Sequence, residues 1–224
     1  MESLNIDLLN KSIFEFGAGI GDHTKFLLNK GCSHILATEG RKENVEILKH
    51  RFIDDGRVHV ESLDLENPEP LNEEFDIGYC YGLLYHLTNP EEAINFMASH
   101  IKNILLLETC VSYNEEDQIV LCNEDKYSFS QSIYGVGCKP GRKWLFHQLK
   151  KHFQYVYLTI TQPDHDEFPL DWTQKSYDGK VSRSVFIASK NSILNASLFE
   201  GIPYKQQKNT VVFDNLFWND IIQF

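Results

Sequence analysis

The sequence predicts an α/β chain with a doubly wound, mostly parallel seven-stranded sheet and an antiparallel edge strand. Three observations predict it. Short apolar runs alternate with amphipathic runs through the first two thirds of the chain. A glycine-rich turn separates the first such pair, at Gly17, Gly19 and Gly21. The last two apolar runs have only a loop between them, so they should pair antiparallel at the sheet edge.

Ser12-Ile13-Phe14-Glu15-Phe16 reads as a short buried strand that stops at Gly17. Asp22 to Leu28 follows as a helix, with Lys30-Gly31 closing it. His34 to Thr38 is a second strand. Arg41 to Phe52 is a helix with Val45, Leu48 and Phe52 on one face. Val58 to Leu63 and Phe75 to Cys80 are the third and fourth strands. Asn89-Pro90-Glu91-Glu92 starts a helix: Asn89 as cap, Pro90 at the first helical position, Glu92 placed for a capping box. Its buried face is Ala93, Ile94, Met97, Ala98 and Ile101. Ile104 to Leu107 is the fifth strand, and Gly141 to His152 a helix whose Trp144, Leu145 and Leu149 face the core. Tyr155 to Thr161 and Ser184 to Ala188 are the late pair. Two stretches escape the alternation: Cys110 to Pro140, and the tail from Asn191 to Phe224 with its apolar Val211-Val212-Phe213 and Leu216-Phe217-Trp218. A long connection inside a compact α/β domain is often a lid over a site. The tail is too apolar for a solvated one; it should pack on the domain or on a second copy in a homodimer.

A chain of 224 residues suits one domain, and 42% apolar with 24% charged residues excludes wholesale disorder. The net charge of −11 argues against a polyanionic partner such as a nucleic acid. No run approaches the about 18 consecutive apolar residues of a membrane span. Met1 to Lys11 lacks the basic and apolar regions of a signal peptide, which predicts a cytoplasmic protein without membrane contact. Five scattered cysteines with no C-x-x-C pair predict free thiols in a reducing compartment, and no metal site.

The chemistry concentrates at the first turn. Glycines there let a ligand approach the backbone, and a helix N-terminus follows. Glu39 ends the second strand 18 residues past Gly21, where a ribose-binding carboxylate belongs in a doubly wound nucleotide fold. The spacing is G-x-G-x-G, not the dehydrogenase G-x-G-x-x-G, and Glu15 precedes it. An acid there is ill placed for a pyrophosphate but suits a cationic amino group. That favours S-adenosylmethionine, which has no phosphate.

On these residues the chain resembles the class I S-adenosylmethionine-dependent methyltransferases, of Rossmann-like fold, well over about residues 12 to 110 and more weakly to about 190. The resemblance implies S-adenosylmethionine as cofactor, with contacts from Glu15, Gly17, Ala18, Gly19, Gly21, Glu39, Gly40, Asp64, Leu65 and Tyr81. Glu39 would hold both ribose hydroxyls, and Asp64 would accept from the adenine amino group. Asp76 to Leu87 is similar to the fourth strand and the loop facing the methyl donor. It further implies a methyltransferase domain over 1–190, a cap over 110–140 within it, and an extension over 191–224. Tyr85-His86, Glu108-Thr109, Trp144 to Phe153 and Ser182 to Ala188 are more distantly similar to the C-terminal half of the tRNA wobble-uridine carboxymethyltransferases, which use a carboxylated cofactor and have a long N-terminal region. Eleven residues precede the first strand here. Short relatives of this kind often act on sugars or other small metabolites, which implies a small-molecule acceptor.

Two residues stand where the acceptor meets the methyl group. His86 is the candidate base or acceptor holder, its imidazole having an unperturbed pKa near ~6.5. Tyr85 accompanies it. Arg183 is a candidate for an anionic acceptor group or an exposed carboxylate. Tyr113 and Tyr134 are candidate linings of the acceptor pocket, with Tyr127 alongside; aromatic packing under a lid explains all three equally. His147 and His152 are five apart, off one helix face. The acidic loop around His165 reads as solvated.

Overall fold

The computed structural model describes residues 4, 6–114, 116–179 and 181–209. The apolar segments at 211–213 and 216–218 lie outside the described residues. The strands are β1 (Ser12–Phe16), β2 (His34–Glu39), β3 (Val58–Ser62), β4 (Phe75–Tyr81), β5 (Ile101–Val111), β6 (Ile119–Asn123), β7 (Val136–Pro140), β8 (Tyr155–Thr159), β9 (Thr161–Gln162), β10 (Ser182–Ser189), β11 (Leu198–Glu200) and β12 (Gln207–Lys208). The helices are α1 (Asp22–Asn29), α2 (Lys42–Arg51), α3 (Pro90–Ser99) and α4 (Arg142–His152), with a 3-10 turn at Leu84–His86.

One large sheet runs in the order β11-β8-β10-β5-β4-β1-β2-β3. It has eight strands, one more than expected, because Leu198–Glu200 adds antiparallel to β8 as the edge strand. The expected late pair is antiparallel, but β10 sits between β5 and β8 and runs against both. The β5–β4–β1–β2–β3 block is parallel throughout. The chain winds outward from β1 to β3, then returns to β4 on the other side of β1. That reversal opens a crevice at the carboxyl ends of β1 and β4, where ligands bind in such sheets.

Strand side chains alternate, so β1 serves both faces. Ile13 joins Leu27 of α1, Leu48 of α2 and Tyr79 of β4 on one face. Phe14 and Phe16 join Ile94 and Met97 of α3 and Leu145 and Leu149 of α4 on the other. Phe14 has no exposed surface, and its ring lies 4.0 Å from Phe16, 5.0 Å from Phe75 and 6.3 Å from Phe96. Asn89 caps α3 by accepting the Glu92 N–H, with Pro90 at the first turn. Ile101, expected on that helix face, instead opens β5: the helix stops at Ser99, and the Phe75 N–H bonds the His100 carbonyl. Asp76 accepts from both the N–H and the Oγ of Ser12, which fastens β4 to the start of β1.

The Cys110–Pro140 stretch holds an antiparallel hairpin, β6 with β7, joined by the loop 124–135. Its register, Leu121 opposite Cys138, was invisible to the helix-and-strand alternation: β6 is apolar yet leaves Val120 and Leu121 exposed, and β7 carries Gly137 and Pro140, which weaken a strand signal. Residues 198–208 add β11 to the large sheet and β12 to β9. The fully buried Arg142 ties this segment to α4: its Nη1 donates to the Pro203 carbonyl at 3.0 Å, and its guanidinium lies 3.8 Å from the Trp172 ring. All five cysteines are free thiols. Among the described residues no helix is long and apolar enough to cross a membrane.

Glu15 is 1% exposed, and burial pushes its carboxyl up to about 8 against the pull of the Thr24 hydroxyl. Between the ordinary 4.5 and about 8, the folded chain therefore keeps a proton that the unfolded chain has lost. Stability contributed by that proton falls as pH rises through this window. Relative to Glu15→Gln, the wild type should lose on the order of 5 kcal/mol from below to above it, read by urea unfolding at a series of pH values. Phe14→Ala should cost about 3–5 kcal/mol by the same measurement, through the cavity left among three rings.

Candidate functional site

The site begins at the Gly17–Gly21 turn. Gly17, Gly19 and Gly21 have φ of 69°, 57° and 93°, a region where a Cβ is strained. Gly17 lies against Leu83: a Cβ there would sit 2.9 Å from Leu83 Cδ2. At Gly21 it would sit 2.6 Å from Leu48 Cδ1. At Gly19 a Cβ would meet nothing within 4 Å, so this glycine borders open space. Gly82, just past β4, has φ of 71° and is equally open. Two left-handed glycines thus border open space at the carboxyl ends of adjacent strands.

Glu39 ends β2 with both carboxylate oxygens engaged: Oε2 accepts the Gly19 N–H at 3.0 Å and Oε1 the Arg41 N–H at 2.8 Å. Each oxygen keeps a second acceptor site. Ala18 is buried, and its N–H bonds the Thr38 carbonyl at 2.8 Å. Glu15 lies beneath the turn, its Oε2 accepting from Thr24 Oγ1 at 2.6 Å. Leu65 packs in the core, and Asp64 accepts from the Tyr134 hydroxyl and the Glu66 N–H.

The end of β4 carries a second constellation. Tyr81 lies with its ring 4.5 Å from His23. Burial, aided by the Glu108 charge, pushes the Tyr81 phenol up to about 12. Glu108 pairs in register with Tyr81 and Val185 and is 1% exposed. Its Oε2 accepts the Gly82 N–H at 3.0 Å, and Arg183 Nη1 reaches Oε1 at 3.0 Å. Arg183 also donates from Nε to Glu167 at 2.7 Å and from Nη2 to the Tyr85 hydroxyl at 3.3 Å. Burial opposes the Arg183 charge, but Glu108, Cys110 and Tyr85 together outweigh it and hold the guanidinium pKa above its usual value. Burial likewise raises the Glu108 carboxyl, against Arg183.

His86 closes the 3-10 turn, its ring 4.0 Å from that of Tyr85. Its Nδ1 bonds Glu124 Oε2 at 2.6 Å. A carboxylate only accepts, so Nδ1 carries the hydrogen and Nε2 a free lone pair. Burial lowers the His86 pKa, while Glu124 pulls it up. The loop 124–135 brings Glu124 here and lies against Gly40 and Asp64. A Cβ on Gly40 would sit 2.6 Å from Ile133 Cδ1.

The structure therefore joins Gly17, Ala18, Gly19 and Glu39 around one turn, and Tyr85, His86 and Arg183 around the end of β4. It separates the three tyrosines. Tyr134 is on the Asp64 side, not beside His86. Tyr113 stacks on Trp172 at 5.3 Å and Tyr177 at 5.4 Å, its hydroxyl donating to the Asp171 carbonyl. Tyr127 is exposed. Sequence reasoning assigned no role to Glu108, Glu124, Glu167 or Arg41. Glu108 had a signal, a lone acid inside the apolar run Ile104 to Leu107 and Thr109 to Val111. Glu124 had none, since it meets His86 across 38 residues.

Residues 14–103 match the family described as methyltransferase domain. The chain is 26% identical over 209 residues to the tRNA U34 carboxymethyltransferase of Shewanella woodyi, covering 82% of this chain and 62% of that protein. It is 32% identical over 96 residues to the tRNA U34 carboxymethyltransferase of Syntrophotalea carbinolica, covering 42% of this chain and 29% of that one. The chain thus spans less than two thirds of the length of these curated relatives. Among solved structures, the N-terminal domain of EvdMO1, in the presence of SAH and D-fucose, is similar with a TM-score of 0.63 at 20% identity, over 80% of this chain and 75% of that one. An S-adenosylmethionine-dependent methyltransferase from Mesorhizobium loti has a TM-score of 0.59 at 10% identity, over 82% of this chain and 93% of that one. The family match begins inside β1 and ends inside β5, across the half of the sheet that carries the glycine turn and Glu39; over residues 14–103 the chain is similar to that methyltransferase-domain family, and its fold is the Rossmann-like fold of the solved structures.

Proposed function

We propose that the chain transfers a methyl group from S-adenosylmethionine to a hydroxyl oxygen of a small metabolite, with a sugar as the favoured class. The observation that carries this is the His86–Glu124 pair in the turn after β4, a neutral imidazole with a free Nε2. A hydroxyl acceptor needs such a base; a neutral amine does not. The presence of D-fucose in the EvdMO1 domain structure supports a sugar.

The residues present fit the cofactor. Glu39 has acceptor sites for a ribose diol, Asp64 lies on the same wall, and open Gly19 and Gly82 give backbone access. Glu15 lies under the turn as the candidate partner for an amino group. When bound, S-adenosylmethionine supplies a methyl group already activated by its sulfonium. The protein's part is to align an acceptor, exclude water and take one proton. His86 Nε2 takes that proton from the acceptor hydroxyl. Tyr85 and the Glu108–Arg183–Glu167 cluster set the polar wall beside it. Arg183 faces two carboxylates, so its charge is already compensated and the wall favours an uncharged acceptor over a polyanion.

A second reading, modification of tRNA, is supported by the names of the curated relatives and by the Arg183–Tyr85 contact, a candidate for an exposed carboxylate. It requires tRNA binding that weakens steeply with salt. A shift assay at two salt concentrations separates the readings: salt-sensitive tRNA binding supports the second, and no binding supports the first.

Calorimetry should detect S-adenosylmethionine binding. Gly19→Ala should weaken it at least about tenfold while lowering stability by only ~1–2 kcal/mol, the cost of a left-handed alanine in otherwise open space. No binding at millimolar concentration would sink the cofactor assignment. With saturating donor and acceptor, His86→Ala should lower kcat roughly 10²–10⁴-fold. Near-normal turnover would remove His86 from the role of base.

A further inference from the structure

One peptide group of the cap loop links the turn after β2 to the Glu124–His86 pair. Arg41 follows Glu39 and gives it a backbone hydrogen bond. The Arg41 guanidinium then reaches into the loop, where Nη2 donates to the carbonyls of Gln131 at 2.8 Å and of Lys126 and Ser132 at 3.2 Å. The Gln131 carbonyl and the Ser132 N–H belong to the same peptide unit. That N–H donates to Glu124 Oε2 at 2.6 Å, on the very oxygen that accepts from His86 Nδ1. A cation on the carbonyl end polarises the peptide and strengthens the bond made by its N–H end. Two further bonds hold the loop in this shape: Glu124 N–H to the Gly135 carbonyl, and Ser132 Oγ to the Val136 carbonyl. A continuous hydrogen-bonded path therefore runs from the acid at the end of β2 to the imidazole at the end of β4.

Resting on the methyl-transfer reading above, we propose that Glu124 is the positioning residue of His86, and that Arg41 holds Glu124 in place through the 131–132 peptide. The base is then set when the cap loop is seated on the nucleoside-side wall. Glu124 fixes the Nδ1–H tautomer and leaves Nε2 free. It acts through His86 and needs no contact with the acceptor. The seating couples the two ends of the site. A donor that closes the cap against Gly40 and Asp64 also completes the base, so an unseated cap leaves His86 without its orienting partner.

The charges facing His86 make the test directional. Glu124 approaches from the cap, Arg41 from the turn after β2 and Arg183 from β10, with the Tyr85 ring alongside. Glu124 raises the imidazole pKa, and the two arginines lower it. Glu124→Gln should therefore shift the acid limb of kcat, and the His86 titration followed by ¹⁵N NMR, to lower pH. It should also lower kcat at least about tenfold, with KM for S-adenosylmethionine within about twofold. Arg41→Met gives the sharper arm. Loss of the Arg41 charge alone would move the His86 titration upward. Release of Glu124 moves it downward, and mixes the two imidazole tautomers. The proposal requires the downward shift, and requires the double variant to lose no more kcat than Glu124→Gln alone. An upward shift in Arg41→Met, losses that multiply in the double variant, or an unmoved titration in Glu124→Gln would overturn it. A wild type that methylates no acceptor overturns the methyl-transfer reading, while the NMR arms still decide whether the pair and its seat exist.

Discussion

The turn from Gly17 to Gly21 is the constraint on which the rest of this molecule depends. Each of its three glycines faces a different element. Gly17 admits Leu83, which brings the end of β4 and the Tyr85-His86 turn close to β1. Gly21 admits Leu48, which lets α2 pack over the start of α1. Gly19 turns its N–H to Glu39 and leaves open space beside it. A side chain at the first or last position would push a helix or a loop away by more than packing tolerates. A side chain at the middle one would fill space that the fold leaves open. One backbone path therefore fixes the helix packing, the crevice and the reach of the β2 acid together.

Charge is buried around this crevice in two different ways. Glu15 is buried with one hydroxyl partner, and its environment favours the protonated form. Glu108 is buried with a backbone N–H and a guanidinium, and keeps a cation at its side. Removing one member of such a buried pair strands the other, a loss of about 3–5 kcal/mol. The Arg183 cluster thus stabilises the start of β10 against β5, and at the same time sets the electrostatics of the wall proposed to face the acceptor. Structure and chemistry are not separable at this position, because the same guanidinium performs both tasks.

The cap is a different kind of element. Its strand β6 leaves the apolar Val120 and Leu121 exposed, so the hydrophobic effect anchors that part of it weakly. Directional contacts do the anchoring instead: three carbonyls on one guanidinium, Glu124 on His86, and Tyr134 on Asp64. Such contacts can be broken and remade at modest cost, since each is worth little net in water. An element held in this way suits closure over a ligand, whereas the sheet beneath it, held by buried Phe14, Ile94, Leu145 and their neighbours, stays put.

The parallel half of the sheet was legible in the sequence, because strand and helix periods are local and the glycine turn is local too. The placing of Glu39 at the end of β2 and of His86 in the turn after β4 was legible too, because each is counted from its own strand. The α3 start was equally legible, since Asn89, Pro90 and Glu92 act within one turn. The tertiary fold set the insertion of β10 between β5 and β8, the pairing of the cap strands, and the packing of Tyr113 on Trp172 instead of beside His86. It alone decided the partners of the candidate groups. Glu124 reaches His86 across 38 residues, and Arg183 reaches Glu108 across 75. No local period encodes such pairings; they come from where the sheet order and one glycine turn bring distant strand ends together.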